Sequence, residues 1–155
     1  MNQMAKYHQN IYKLTFPEKY NGNPTNIIYR SSWEKKFMEW CEYSPSVLKW
    51  KSEEVVIPYR CATDGRIRRY FVDFQIDVIT KSGNAKTYLV EVKPHKETAP
   101  PVYPGRQTKR YLTETMTYMK NMSKWEAAEQ YCSQRGWEFK IITEYELGLK
   151  KHKKK

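Results

Sequence analysis

A chain of 155 residues, 39% apolar and 15% aromatic, fits one domain with a core of its own and argues against disorder. Lys and Arg outnumber Asp and Glu by 28 to 17, a formal charge of +11 that suits a polyanionic partner; the run Lys150 to Lys155 carries five of those charges and leaves +6 on the body. Scattered Cys41, Cys61 and Cys132, histidines without a partner at ligand spacing, and the lack of a long apolar run argue against a disulfide scaffold, a zinc site, a signal peptide and a membrane span, so a soluble protein with reduced thiols is expected.

Residues 1–25 are polar and basic, with a turn-like Asn21-Gly22-Asn23-Pro24, and read as an N-terminal arm ordered on a partner. The domain proper is expected over 26–149, with 150–155 a disordered lysine-rich tail that tethers DNA or an acidic surface. Ser31 and Glu34 have the spacing of a capping box, opening a helix whose apolar face is Trp33, Phe37, Trp40 and Cys41. On the residues alone, Glu34 bonds back to its own helix cap. Ser44-Pro45 ends that helix, and Val55-Val56-Ile57 makes a short strand stopped by Pro58. A turn over Cys61 to Gly65 leads to Arg66, Arg68 and Arg69, which could grip phosphates or simply charge an edge strand.

The run Arg68-Arg69-Tyr70-Phe71-Val72-Asp73-Phe74 and the run Tyr88-Leu89-Val90-Glu91-Val92-Lys93 read as two strands of a hairpin around Lys81-Ser82-Gly83-Asn84. Glu91 and Lys93 are two apart and share a face; Val90 and Val92 take the other. A three-residue loop with Gly83 in the left-handed region pairs Thr80 with Asn84 and sets Asp73 opposite Glu91, whereas a two-residue loop would set Asp73 opposite Val92. We expect the first. Asp77 shares the parity of Asp73 but lies roughly 13 Å nearer the turn, too far to join. Two carboxylates beside an ammonium suit a hard cation such as Mg²⁺, with Mn²⁺ as substitute, at a phosphate-cleaving site. Asp73 and Glu91 would hold the ion, while Lys93 orients or deprotonates water and offsets charge on the phosphate. The plainer reading is a cross-strand ion pair on a solvated sheet.

After Lys93 comes a stiff loop over 94–105 with four prolines, which presents Lys96 to solvent or to DNA. A helix over 107–121 carries Leu112, Met116 and Met119 at core spacing, with Arg106, Lys109 and Arg110 at its start as phosphate contacts. A second helix is expected from Ser123, with Glu126 three residues on, presenting Trp125, Ala128 and Cys132 and stopping at Gly136. Trp137 to Thr143 alternates as a half-buried strand, and a short helix is expected from Glu144 to Lys150. The expected architecture is α/β, with a helix, a three-stranded meander, a helix pair and a final strand in one domain.

The Asp73…Glu91-x-Lys93 hairpin, with a Glu34-bearing helix before it and Trp137-Glu138-Phe139-Lys140-Ile141-Ile142-Thr143-Glu144 after it, resembles the PD-(D/E)xK nuclease superfamily. Tyr29-Arg30-Ser31, Trp33-Glu34, Arg68-Arg69-Tyr70-Phe71, Lys93-Pro94, Lys96-Glu97-Thr98 and Pro100-Pro101 narrow the resemblance to the head completion nucleases of T-even-type tailed phages. More distantly, the chain is similar to the endonuclease subunit of a heteromeric bacterial transposase. Val72 stands where the superfamily has Pro, a residue that is not a ligand. The resemblance implies that Glu34 is a third acid lining the metal site, that Arg30 joins the DNA contacts, and that the protein is a DNA endonuclease of phage head completion, trimming or finishing packaged DNA or stabilising the filled head before the tail joins. It further implies double-stranded DNA and portal or neck proteins as partners, no membrane, and residence in the host cytoplasm or the virion neck. A transposase-type nuclease would need a further partner-binding domain, for which little chain is left after Glu144. A head protein that holds DNA without cutting it is the other alternative.

Overall fold

A computed structural model describes residues 10–150. The elements in order are β1 (Asn10–Ile11), a 3₁₀ turn (Pro17–Lys19), β2 (Ile28–Tyr29), α1 (Ser32–Tyr43), β3 (Val47–Ser52), β4 (Val56–Arg60), β5 (Ile67–Phe71), β6 (Phe74–Ile79), β7 (Ala85–Val92), a 3₁₀ turn (His95–Thr98), α2 (Lys109–Ser133) and β8 (Glu138–Ile142). The main sheet has the order β3-β6-β7-β8; β3, β6 and β7 pair antiparallel, and β8 runs parallel to β7 after the crossover through α2. β4 and β5 form a hairpin of their own.

Side-chain alternation gives the main sheet two apolar faces. Phe74, Ile76, Val90 and Val92 pack with Phe37, Met38 and Cys41 of α1; Leu89 joins Tyr70, Val72 and the α2 residues Trp125, Ala128 and Cys132. Val90 and Val92 therefore lie in the α1 core, on the face opposite Glu91 as expected, and the other parity of β7 belongs to the α2 side. The three cysteines are free thiols, all buried. No described helix is long and apolar enough to cross a membrane.

The expected meander is replaced by a different connection. Asp73 is not inside one long strand: the chain leaves the small hairpin after Phe71 and enters the main sheet at Phe74. The neighbour of β6 is β3, which went unpredicted, and residues 55–57 belong to the hairpin. Pro58 does not stop β4 either. Cys61 donates its N–H to Arg66 and Val72 donates to Val55, so the odd positions of β4 face β5 and the ring nitrogen of Pro58 faces the open edge.

The helix pair is one continuous helix. Ser123 caps nothing; its hydroxyl donates to the Met119 carbonyl, 3.1 Å away, and accepts the Ala62 N–H, also at 3.1 Å. A serine satisfied inside the turn, with no Pro or Gly nearby, leaves the helix intact. The true cap is Thr108, whose side chain accepts from the Tyr111 N–H. Leu112, Met116 and Met119 are 48%, 49% and 39% exposed and so are not core; the α2 residues that join the core all lie in its second half. Residues 144–150 form turns in place of the expected helix.

Nor are residues 10–25 a detached arm. Buried Tyr12 and Tyr20 pack edge-on against Trp50, with ring centroids 6.0 and 4.8 Å away. Buried Glu42 of α1 accepts hydrogen bonds from the Tyr12 hydroxyl at 2.7 Å and from the Thr15 and Phe16 amides at 2.9 and 2.8 Å. Other amides of the segment are met by backbone carbonyls, Tyr12 by Ile27 and Asn21 by Trp50. The start of the expected arm, 1–9, and the tail beyond Lys150 lie outside the described residues.

Candidate active site

The β6–β7 register brings the acids together. Phe74 pairs with Val90 and Ile79 with Ala85; the Thr80 N–H donates to the Asn84 carbonyl at 2.8 Å, and the Gly83 N–H returns to Thr80 at 2.9 Å. Gly83 has φ +87°, the left-handed value that the last position of this three-residue loop requires. Continuing that register by one residue sets Asp73 opposite Glu91. Asp77, nearer the turn, is engaged by the Thr87 hydroxyl at 2.6 Å.

Each acid is held from behind. Asp73 Oδ2 accepts the Val92 N–H at 2.8 Å. Glu91, only 5% exposed, accepts the Tyr70 hydroxyl on Oε1 at 2.8 Å and the Trp125 indole N–H on Oε2 at 3.3 Å. Lys93 Nζ stands 3.7 Å from the same Oε2. Glu91 near the end of β7 is thus held by β5 and α2, while Asp73, just before β6, is held by the backbone of β7.

Burial pushes the Asp73 carboxyl well above the usual carboxylate range, and the charges of Glu91 and Glu34 push it further; the Val92 N–H and Lys93 oppose this without reversing it. Glu34 is also raised, first by burial and then by Glu53, against the Arg30 N–H and the Ser31 hydroxyl. Burial likewise raises the Tyr70 phenol, so it stays a donor to Glu91. Burial and the mutual repulsion of these acids thus make the charged form of Asp73 costly in this fold.

Glu34 behaves as a capping residue, with its side chain bonded to Arg30, the residue before the cap. Its N–H donates to the Ser31 hydroxyl at 3.1 Å, as a helix cap requires, while its Oε1 accepts the Arg30 N–H at 3.3 Å. It is close enough to act on Asp73, yet among the described residues no three acidic, imidazole or thiol side chains gather as a metal-holding group. The structure therefore pairs Asp73 with Glu91 and leaves Glu34 adjacent.

The expected phosphate contacts divide into separate places. Arg30 Nη1 lies 2.6 Å from both carboxylate oxygens of Glu53. Arg66 and Arg68 are exposed on the small hairpin, where Asp64 accepts the Arg66 N–H and pairs with the Arg68 guanidinium; the Arg69 guanidinium lies 5.4 Å from the Phe71 ring centroid. Lys96, Lys109 and Arg110 line a groove of about 1210 Å³ between the proline loop and the start of α2, with Arg110 bonded to Glu114 at 2.8 Å. Arg106 is exposed beside it.

The sequence reading missed four neighbours of the site. Tyr70 and Trp125 hold Glu91; Glu53, at φ +55°, donates its N–H to the Asp73 carbonyl at 3.0 Å. Lys124 is lowered by burial, with Glu91 and Asp73 drawing its charge back and Lys93 and Lys120 repelling it. Trp125 read simply as core. Nothing local in the sequence shows that α2 docks beside β7.

A mixed sheet whose central hairpin opposes an Asp to a Glu-x-Lys, with helices on both faces, has the layout of a PD-(D/E)xK nuclease domain. Residues 44–144, which include Asp73, Glu91 and Lys93, match the family described as TnsA-like endonuclease N terminal. Over 130 residues, 81% of this chain and 84% of the relative, the sequence is 43% identical to the head completion nuclease of Enterobacteria phage T4. The chain belongs to the TnsA-like endonuclease family.

Proposed function

We propose that the chain is a metal-dependent DNA endonuclease acting in phage head completion, where it trims or finishes packaged DNA before the tail joins. The observation that carries the chemistry is Asp73 held opposite Glu91, with the Lys93 ammonium 3.7 Å from Glu91. The likeness to the T4 head completion nuclease supports the biological setting. In this reading the protein works in the host cytoplasm or at the virion neck, beside portal or neck proteins.

The residues fit a divalent cation. Asp73 is desolvated beside two further carboxylates, and the donors facing it leave its negative charge under-compensated. An all-oxygen acidic set favours Mg²⁺, with Mn²⁺ as substitute. Asp73 and Glu91 would hold it, with Glu34 as the adjacent acid. The ion would supply Lewis-acid charge to the phosphate and ease deprotonation of water. The Val92 N–H restrains the Asp73 carboxylate, and Tyr70 and Trp125 restrain that of Glu91. Lys93 orients the attacking water and offsets charge that builds on the phosphate oxygens.

Asp73→Ala should therefore abolish Mg²⁺-dependent cleavage of supercoiled and linear DNA while leaving DNA binding largely intact. Loss of such a group costs on the order of 3 kcal/mol, a hundredfold or more in rate. Normal cutting by Asp73→Ala would remove the site assignment; binding by the wild type without cutting would point to a DNA-holding role.

A further inference from the structure

Lys124 belongs to none of the pairs described so far. It sits on α2 immediately before Trp125, whose indole reaches Glu91 Oε2 at 3.3 Å. Its Nζ lies 5.6 Å from the centroid of the Tyr70 ring, and the Tyr70 hydroxyl reaches the other oxygen of Glu91 at 2.8 Å. Two successive residues of α2 thus converge on the same end of β7.

The ammonium is half-buried, yet among the described residues it forms no ion pair. Keeping an ammonium partly out of water without an acidic partner costs free energy, and an aromatic face offsets only part of it. Glu91 and Asp73 lie near enough to attract the charge, but both are held by other donors. What the position lacks is an external anion. A lysine with three rotatable donors suits a phosphate oxygen without demanding one approach angle.

We propose that Lys124 is a substrate-binding residue of this site, holding a phosphate of the cleaved strand on the α2 side while Lys93 serves the strand side. The assignment rests on the reading of Asp73, Glu91 and Lys93 as the nuclease centre. It gives α2 a role in binding as well as in packing, and accounts for a lysine where a buried helix face would otherwise carry an apolar residue.

The test compares wild type, Lys124→Met and Lys124→Arg, using a fluorescent DNA duplex in EDTA so that binding is read without cleavage. Lys124→Met should bind several-fold more weakly and lower the slope of log affinity against log salt by about one, as loss of one phosphate contact does. Lys124→Arg should restore most of both, and all three proteins should melt together. In Mg²⁺, Lys124→Met should raise KM more than it lowers kcat. Unchanged affinity and salt slope in Lys124→Met would overturn the proposal, as would a loss accompanied by a lowered melting temperature that arginine fails to rescue, since that marks a structural cap on Tyr70. If neither wild type nor Asp73→Ala cuts DNA, the nuclease reading fails by itself, and the salt slope still reports on Lys124.

Discussion

Asp73 concentrates the electrostatic cost of the site. Its carboxyl is desolvated and faces two other acids, so the folded protein holds its proton to higher pH than the unfolded chain does. From about pH 4 upward, the ordinary carboxylate value, the unfolded chain releases that proton first, and folding stability falls as pH rises. Without metal, Asp73→Asn should therefore melt higher than wild type at neutral pH, with the difference closing towards about pH 4. Melting curves in EDTA across that range check the sign. Tyr70 acts through Glu91, as a positioning residue. Tyr70→Phe keeps the ring that packs in the α2 core but removes the 2.8 Å hydrogen bond. We expect a loss of about 10- to 100-fold in cleavage or metal affinity, the usual effect of removing an outer partner of a ligand. A Mg²⁺ titration of cleavage rate, with DNA binding measured alongside, distinguishes this from loss of fold.

At the scale of elements, the turn between β6 and β7 decides which acids meet. Gly83 needs its positive φ, and a Cβ there would meet nothing within 4 Å, so the cost of substitution is backbone strain alone. Gly83→Ala should destabilise by about 1–2 kcal/mol, measured by urea unfolding, and Gly83→Asn by less, because Asn tolerates the left-handed region. The hairpin was legible because alternation, a Gly-containing loop and strand parity all agreed on one register. Of the two capping patterns in the sequence, one marks a helix start: Ser31 caps α1, but Ser123 carries the same local pattern in mid-helix. A serine three residues before a glutamate marks a cap only where the chain also breaks, and α2 has no break. β3 was unreadable for a related reason, since Lys49 and Lys51 interrupt the apolar pattern that Val47 and Trp50 begin.

On the scale of the whole molecule, the polar N-terminal segment is closed onto the main core by Glu42. Glu42→Ala would strand the Tyr12 hydroxyl and two amides, and should destabilise by about 3 kcal/mol or more. Trp50, packed against both Tyr12 and Tyr20, provides the fluorescence signal for that unfolding. The sequence by itself determined the α/β class, the face shared by Glu91 and Lys93, and the net positive charge, because each follows from periodicity or from composition; of the two loop lengths it allowed, the structure chose the one that continues to Asp73 opposite Glu91. Only the tertiary structure decided that Tyr70 and Trp125 hold Glu91, that Lys124 stands beside the acids, that Glu34 is adjacent to them, and that Leu112, Met116 and Met119 face solvent. Those facts depend on how α1 and α2 dock on the sheet and on which part of α2 packs there. Docking is set by the fit of two whole surfaces, and no local pattern along the chain encodes it.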